Sequence, residues 1–176
     1  VVAADGRLVD IVAEGWAAGI RPAAVVPRDM VSVPLGDDVR FVVVGTPEYF
    51  AARDVPASPG DLARHECIRA RMPSGALSPW EFWREGKLET IDVPGRLTLD
   101  EPNVMLEAAR SGFGLAYLPD KNCADDLKTG RLVQVLADWS ISRPGLFLYY
   151  PSRRHRPALL GAFIDCLLDR EPFDQL

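Results

Sequence analysis

The stretch from Arg96 to Pro119, RLTLDEPNVMLEAARSGFGLAYLP, limits what this chain can fold into more than any other segment. Its pattern predicts a short strand at Arg96–Leu99, a helix that begins at Pro102, and a continuously apolar strand at Leu115–Leu118. Proline suits the first helical position because the N–H group that it lacks has no partner there. Such a strand–helix–strand unit leaves the amino end of its helix at the edge of a parallel sheet, where open α/β sheets bind ligands.

Strands and short helices alternate along the rest of the chain, which predicts an α/β fold with mixed, mainly parallel sheets flanked by helices. The β-branched run at Arg40–Gly45 indicates a central buried strand, and Thr46 is placed to cap the helix that follows it. Pro157–Arg170 has the broadest apolar helical face, and a shorter helix is predicted at Arg7–Gly15.

Two further segments are predicted to expose part of their side chains. Cys67–Arg71 has the pattern of a strand with Arg69 and Arg71 facing outward. Trp80–Arg84 and Leu88–Val93 surround Glu-Gly-Lys and predict an exposed, amphipathic hairpin. The hairpin would therefore present aromatic side chains either to the body of the protein or to another subunit.

Composition excludes several classes of protein. The 176 residues are 48% hydrophobic and 26% charged, which is typical of a soluble globular chain of one domain or two small lobes. A formal net charge of −5 makes the chain a poor nucleic-acid binder. The three cysteines, Cys67, Cys123 and Cys166, form no C-x-x-C pair and indicate reduced, mostly buried thiols in a reducing compartment, the cytoplasm. Because the chain starts with Val-Val, as if within a strand, we expect further sequence before it.

Motifs for catalysis and metal binding are weak. The chain contains no G-x-S-x-G nucleophile motif, and His65 and His155 lack metal-binding spacing. Cys67 stands close to His65, but a nucleophile pair is not favoured because the histidine is predicted to end a surface helix that precedes the strand. We therefore expect neither an enzyme nor a metal or cofactor site.

The chain resembles the effector-binding domain of LysR-type transcriptional regulators over nearly its whole length. No single motif is specific, and the resemblance rests on an ordered set of segments. In chain order these are VDIVAEGWAAGIR, FVVVGTPEYFAAR, SPGDLARHECI, WEFWREGK, LTLDEPNVMLEAARSGFGLAYLP, GRLVQVL and LYYPSRRHRPALLGAFIDCL.

The resemblance implies a two-lobed fold similar to type 2 periplasmic binding proteins. Lobe one would comprise residues 1–45 and 137–176, and lobe two residues 46–136. The resemblance also implies that the first strand and helix of lobe one, and a winged helix-turn-helix DNA-binding domain, precede Val1 in the complete protein.

The same resemblance implies that a small-molecule effector binds between the lobes. The positions that it assigns to the effector site are Arg21, Gly45, Thr46, Ser74, Leu99, Asp100 and Glu101. Thr46, Asp100 and Glu101 also have the residue types of helix caps, and Arg21 that of a solvated or ion-paired strand end. If the two acidic residues face the effector, they favour a ligand that donates hydrogen bonds or carries positive charge.

The function implied is that of an effector sensor, which controls DNA binding and hence transcription without performing any chemistry. The full-length regulator would be a homodimer or tetramer that contacts DNA only through its N-terminal domain, with no membrane partner. A solute-binding protein of the periplasmic type, built on the same fold, is the alternative.

Overall fold

The computed structural model describes residues 9–151 and 158–168, which divide into two compact units. The larger unit runs from Val39 to Arg143. The smaller unit combines residues 9–38 with the chain from Pro144 onward. The chain thus passes between the units twice, at residues 38–39 and 143–144. The lobe boundaries predicted from the resemblance, after residues 45 and 136, stay a prediction.

Strands and helices alternate along the described residues. The strands are β1 (Gly19–Pro22), β2 (Met30–Pro34), β3 (Val39–Gly45), β4 (Cys67–Arg71), β5 (Leu77–Ser78), β6 (Trp80–Arg84), β7 (Lys87–Ile91), β8 (Thr98–Leu99), β9 (Leu115–Pro119), β10 (Val133–Val135), β11 (Ile141–Arg143) and β12 (Leu146–Pro151). The α-helices are α1 (Pro47–Ala51), α2 (Pro102–Arg110), α3 (Asp120–Thr129) and α4 (Ala158–Leu168). Short 3-10 helices cover Ala23–Val25, Pro59–Arg64 and Ala137–Trp139.

The strand–helix–strand unit predicted from Arg96 to Pro119 is present as β8, α2 and β9. Both strands pair in parallel with β4, and α2 begins at Pro102 as expected. The predicted central strand is also confirmed, because β3 lies between β9 and β10 and buries Val42, Val43 and Val44. These strands form the sheet of the larger unit in the order β10-β3-β9-β4-β5, with β11 also on β3 and β8 on β4.

Mixed sheets flanked by helices are confirmed, but the expected majority of parallel pairs requires correction. Among the nine pairings of the described strands, only β4 with β8 and β4 with β9 are parallel. The reason lies partly in how the chain enters and leaves the larger unit. Val39 of β3 pairs with Arg143 of β11, so these two strands must run in opposite directions. The tight hairpin of β6 and β7 adds another antiparallel pair.

Apolar side chains of the larger unit form two clusters. In one, Met105, Leu106 and Ala109 of α2 pack with apolar residues of β3, β4 and β9. In the other, Trp80 and Phe82 are 1% exposed among residues that include Cys67, Leu115 and Val43. The hairpin of β6 and β7 is therefore buried on one face, as an amphipathic hairpin should be, and Trp80 and Phe82 pack against the body of the protein, the first of the two predicted alternatives. Its other face leaves Trp83 and Leu88 exposed.

The smaller unit contains an antiparallel sheet in the order β1-β12-β2. Leu160 and Ile164 of α4 pack with Leu148 of β12, whereas Phe163 and Leu168 are exposed. The predicted apolar face of this helix is thus buried only in part, and Pro157 and residues 169–170 of the prediction lie outside the described residues.

The predicted helix at Arg7–Gly15 is wrong for the residues that the structure describes, which begin at Val9. Ile11–Gly15 forms only a hydrogen-bonded turn, in which the Asp10 carboxylate accepts hydrogen bonds from the Val12 and Ala13 amides at 2.9 and 3.1 Å. Gly15 then adopts a φ of +76°, a conformation that favours glycine. In the part of the chain that the structure describes, no helix has the length and apolar character needed to cross a membrane.

Candidate functional site

The directions of the strands define two opposite edges of the larger unit's sheet. Because β8 and β9 both run parallel to β4, the carboxyl ends of these three strands lie at one edge. We call it the carboxyl edge, and it comprises Arg71, Leu99 and Pro119 with the loops that follow them. In α/β sheets such an edge is the usual place for a ligand.

Ser74 lies in a tight turn at the carboxyl edge. β4 ends at Arg71, and the Met72 amide donates a hydrogen bond to the Ala76 carbonyl at 2.8 Å as the chain turns back into β5. Gly75 adopts a φ of +86° within this turn. The exposed Ser74 accepts a hydrogen bond from the Ala76 amide at 3.4 Å, so its hydroxyl hydrogen can still be donated.

Leu99, Asp100 and Glu101 lie at the same edge, where β8 leads into α2. Leu99 pairs with Ala70 of β4, and Glu101 occupies the capping position of the helix. The Glu101 carboxylate accepts a hydrogen bond from the Val104 amide at 2.9 Å. The capping interpretation is therefore correct for Glu101, whose negative charge also suits the positive end of the helix. Asp100 is exposed beside it.

Gly45 and Thr46 lie at the opposite edge. Val44 pairs with Ala116 near the start of β9, and the two strands are antiparallel, so β3 begins at the carboxyl edge. The length of β3 places its last residue about 20 Å from that edge. A Cβ atom on Gly45 would lie 2.7 Å from Cδ2 of Leu115, which explains the glycine. Thr46 is 6% exposed, and its hydroxyl accepts a hydrogen bond from the Tyr49 amide at 3.1 Å, so it caps α1 as predicted.

The structure therefore does not bring all seven predicted site residues together. Ser74 and Leu99–Glu101 share the carboxyl edge of the larger unit, whereas Gly45 and Thr46 share the other edge. Arg21 belongs to β1 of the smaller unit, where it pairs with Phe147 and is half-buried.

Arg69 was not among the predicted site residues, yet its side chain is unusual. Its Nε atom is buried and has no hydrogen-bond acceptor, and no carboxylate of the described residues forms an ion pair with it. Arg69 pairs with Thr98 through β8 and is half-buried, whereas Arg71 is exposed. Alternation along the strand predicted that both arginines face outward and gave no sign of this difference.

His65 ends the short helix at Pro59–Arg64 as predicted, but its side chain is buried, like that of Cys67. Nδ1 of His65 lies 3.3 Å from the Tyr49 hydroxyl, whose oxygen accepts a hydrogen bond from the Glu66 amide at 3.0 Å. Burial, followed by the charges of Arg53 and Arg64, lowers the pKa of His65.

Burial also raises the pKa of the Cys67 thiol to about 12, which keeps it protonated at neutral pH and a poor nucleophile. A second buried thiol, Cys123, has its pKa raised to about 11 for the same reason. Cys166 is exposed, so two of the three thiols are buried, which agrees with the expectation of mostly buried cysteines. Among residues 9–151 and 158–168, no group of histidine, cysteine and acidic side chains could hold a metal ion.

The chain thus passes twice between two α/β units, and in the larger unit a helix begins at the carboxyl edge, where α/β sheets usually bind ligands. The chain belongs to the LysR substrate binding domain family, whose model matches residues 1–172. The resemblance found in the sequence is thus confirmed.

Among curated relatives, an uncharacterized HTH-type transcriptional regulator of Escherichia coli (strain K12), YcaN, is 45% identical over 161 residues. The match covers 92% of this chain and 52% of that protein. The HTH-type transcriptional regulator PgrR of the same strain is 36% identical, with 93% of this chain and 55% of PgrR covered. The chain therefore spans about half the length of these relatives.

Solved structures of similar fold agree with the family. The regulatory domain of AphB from Vibrio vulnificus has a TM-score of 0.75 at 24% identity, covering 89% of this chain and 77% of that one. CrgA, a LysR-type transcriptional regulator from Neisseria meningitidis, has a TM-score of 0.72 at 23% identity, covering 90% of this chain and 53% of that one. At these identities the likeness establishes the fold.

Proposed function

We propose that this chain is the effector-sensing domain of a cytoplasmic LysR-type transcriptional regulator. The observation that carries the proposal is the family match over residues 1–172. Relatives named as HTH-type transcriptional regulators are matched over only about half their length, which leaves room in such proteins for a separate DNA-binding domain. The alternative of a periplasmic solute-binding protein is not favoured, because the relatives carry regulator names.

We place the effector at the carboxyl edge of the larger unit. The Ser74 hydroxyl and the Asp100 carboxylate are exposed there, and Leu99 supplies an apolar contact beside the first turn of α2. The first amides of a nine-residue helix also point towards this edge, although Glu101 already satisfies one of them. Gly45 and Thr46 are assigned to packing and capping instead, and the role of Arg21 stays a prediction.

Sensing requires that the effector bind two conformations of the regulator with different affinity, since equal affinity shifts no equilibrium. The regulator would be a homodimer or tetramer that contacts DNA through its helix-turn-helix domain. The chain itself would perform no chemistry.

The test uses the full-length protein and a metabolite library, with melting temperature and affinity for its promoter DNA as the two measurements. We expect at least one compound to raise Tm and also change the affinity for DNA. When its free concentration is about 100 times its dissociation constant, a ligand stabilises the native state by about 2.7 kcal/mol. Compounds that bind without altering DNA affinity would contradict the sensing role.

Two variants locate the site. We expect Asp100→Ala to change the response to the effector while leaving Tm without compound nearly unaltered, because the carboxylate is exposed. Thr46→Ala is the matched control at the other edge: it should lower stability by about 1 kcal/mol through loss of the cap and leave the dissociation constant unchanged. The reverse pattern would move the effector to the Thr46 edge.

A further inference from the structure

The starting observation is a cavity of about 280 Å³ in the smaller unit. Its walls include two acidic residues, a tyrosine and several apolar residues, among them Asp10, Ile11, Asp29, Met30 and Tyr149. None of the described residues that line the cavity is basic. The volume suits a small molecule, and the lining gives the cavity a negative charge.

Tyr149 is the buried polar residue of this cavity. It belongs to β12, the central strand of the smaller unit's sheet, and its neighbour Leu148 packs with α4, so Tyr149 lies on the opposite face of the sheet. Only 4% of Tyr149 is exposed, yet its hydroxyl forms no hydrogen bond with any described residue. Unlike Nε of Arg69, this hydroxyl is not fully enclosed by protein atoms. A buried hydroxyl that lacks a partner and borders a cavity is available to a ligand.

Gly19 determines where the phenol ring lies. It pairs with Tyr149 across β1 and β12. A Cβ atom on Gly19 would lie 2.7 Å from Cε1 and Cζ of the ring and 2.8 Å from the hydroxyl oxygen. The outer end of the ring therefore occupies space that any other residue at this position would fill. A side chain on a paired strand is also held more firmly than one on a loop, which favours a defined binding geometry.

The two carboxylates of the cavity are held by local turns and lack a counter-ion. Oδ1 of Asp10 accepts two hydrogen bonds from backbone amides of the turn that follows it, at 2.9 and 3.1 Å, which leaves Oδ2 available. Asp29 lies in a turn closed by a hydrogen bond from the Met30 amide to the Pro27 carbonyl at 3.2 Å. Neither aspartate forms an ion pair with a described residue. Uncompensated carboxylates at one cavity favour a cationic ligand.

We propose that this cavity binds a small organic ammonium ion, a primary amine on a short aliphatic chain. An ammonium group has three hydrogens to donate, and Asp10, Asp29 and the Tyr149 oxygen provide acceptors for them. Ile11 and Met30 supply apolar contacts for the aliphatic chain. A metal ion is not favoured, because no group of three or more histidine, cysteine or acidic side chains among the described residues could hold one. The site shares no residue with the effector position proposed at the carboxyl edge.

The experiment measures binding of n-butylammonium chloride to the full-length protein by isothermal titration calorimetry. Butanol and butyrate replace the ammonium by a neutral and an anionic group, and tetramethylammonium chloride supplies a cation that cannot donate hydrogen bonds. We expect the butylammonium ion to bind at one site per chain with a dissociation constant of about 1 mM, and each of the other three compounds to bind at least about tenfold more weakly.

Two conservative variants test the residues. Asp29→Asn removes one charge and should weaken butylammonium binding by about tenfold or more, and Tyr149→Phe removes only the hydroxyl and should weaken it by about 3- to 10-fold. Neither should lower Tm without compound, because neither side chain has a partner to lose. The matched controls are Asp38→Asn, at an exposed aspartate of the same unit, and Tyr150→Phe, on the other face of β12. Each control should change the dissociation constant by less than about twofold.

Every outcome supports or overturns the proposal. Failure of butylammonium to bind at about 20 mM, where the expected affinity would fill nearly every site, would overturn it. Binding of butanol or tetramethylammonium with the same affinity would show that a donating cation is not what the cavity recognises. Unchanged binding to both variants would place the ion elsewhere, and if Tyr149→Phe does not fold, Asp29→Asn decides because Asp29 is exposed. Calorimetry needs no DNA, so this proposal can fail while the proposed sensing function stands.

Discussion

Replacing Asp126 by asparagine tests how the two helices of the larger unit are held together. Asp126 of α3 is 1% exposed, and its carboxylate accepts hydrogen bonds from Nε and Nη2 of Arg110 in α2 at 3.0 and 2.6 Å. Arg131 adds an ion pair at 3.2 Å. Asparagine keeps the shape of the side chain but turns an amide donor towards guanidinium groups that can only donate.

The cost can be worked out from the exposure of the partners. Removing one member of a buried ion pair typically costs about 3–5 kcal/mol, because a charge is left without compensation. The Arg110 and Arg131 side chains are 27% and 60% exposed, so water partly solvates them after the substitution, and Glu107 still pairs with Arg110. We therefore expect Asp126→Asn to lower the free energy of unfolding by about 3 kcal/mol, which corresponds to a fall in Tm of roughly 6–12 °C for a domain of this size.

Denaturant unfolding of the full-length protein, monitored with and without the substitution, measures this loss. The control is Asp125→Asn, which changes an exposed carboxylate one position earlier on the same helix. Hydrogen bonds from Arg110 lower the pKa of Asp126, so its contribution is complete above a pH of about 4 and disappears as the pH falls further. A loss below about 1 kcal/mol, or one equal to that of the control, would refute the assignment of the pair as a stabilising link.

Two more substitutions have definite expected outcomes. His65 has a lowered pKa, so its neutral form contributes stability that is complete above a pH of about 6.5 and is lost as the pH falls. His65→Gln should therefore reduce the fall in Tm between about pH 7.5 and about pH 5.5. The same fall in Tm in the variant and the unsubstituted protein would contradict this. Gly95→Ala would place a Cβ atom 1.9 Å from the Cys67 carbonyl oxygen and should destabilise the protein by at least about 2 kcal/mol. Gly36→Ala, with nothing within 4 Å of its Cβ position, is the control and should be nearly neutral by urea unfolding.

Local patterns predicted those elements whose cause is local. The start of α2 follows from the position of Pro102, and the cap of α1 from Thr46, because capping hydrogen bonds span only three residues. The buried strand β3 follows from its β-branched run. In each case the interactions that form the element lie within the segment that predicts it.

Site positions could not be predicted in the same way, because they depend on strand direction and register. Gly45 and Thr46 end a strand that is antiparallel to β9, whereas Leu99 ends one that is parallel to β4. Both ends look alike in the sequence, since each leads into a helix that begins with proline. Which end faces the carboxyl edge is decided only when distant strands pair, and the unpaired Nε of Arg69 depends in turn on that packing.

The same pairing determines how the chain passes between its two units. In the larger unit Val39 pairs with Arg143, and in the smaller unit Pro34 pairs with Phe147. Four residues separate Pro34 from Val39, but only three separate Arg143 from Phe147, so the incoming segment carries one residue more than the outgoing one.

Gly145 allows the two connecting segments to lie against each other, because a Cβ atom there would be 2.4 Å from the Asp37 carbonyl oxygen. Leu35 also donates a backbone hydrogen bond to Leu146 at 2.9 Å. Both contacts join residues of the smaller unit, so the segments next to the two passages are already held together before the chain enters the larger unit.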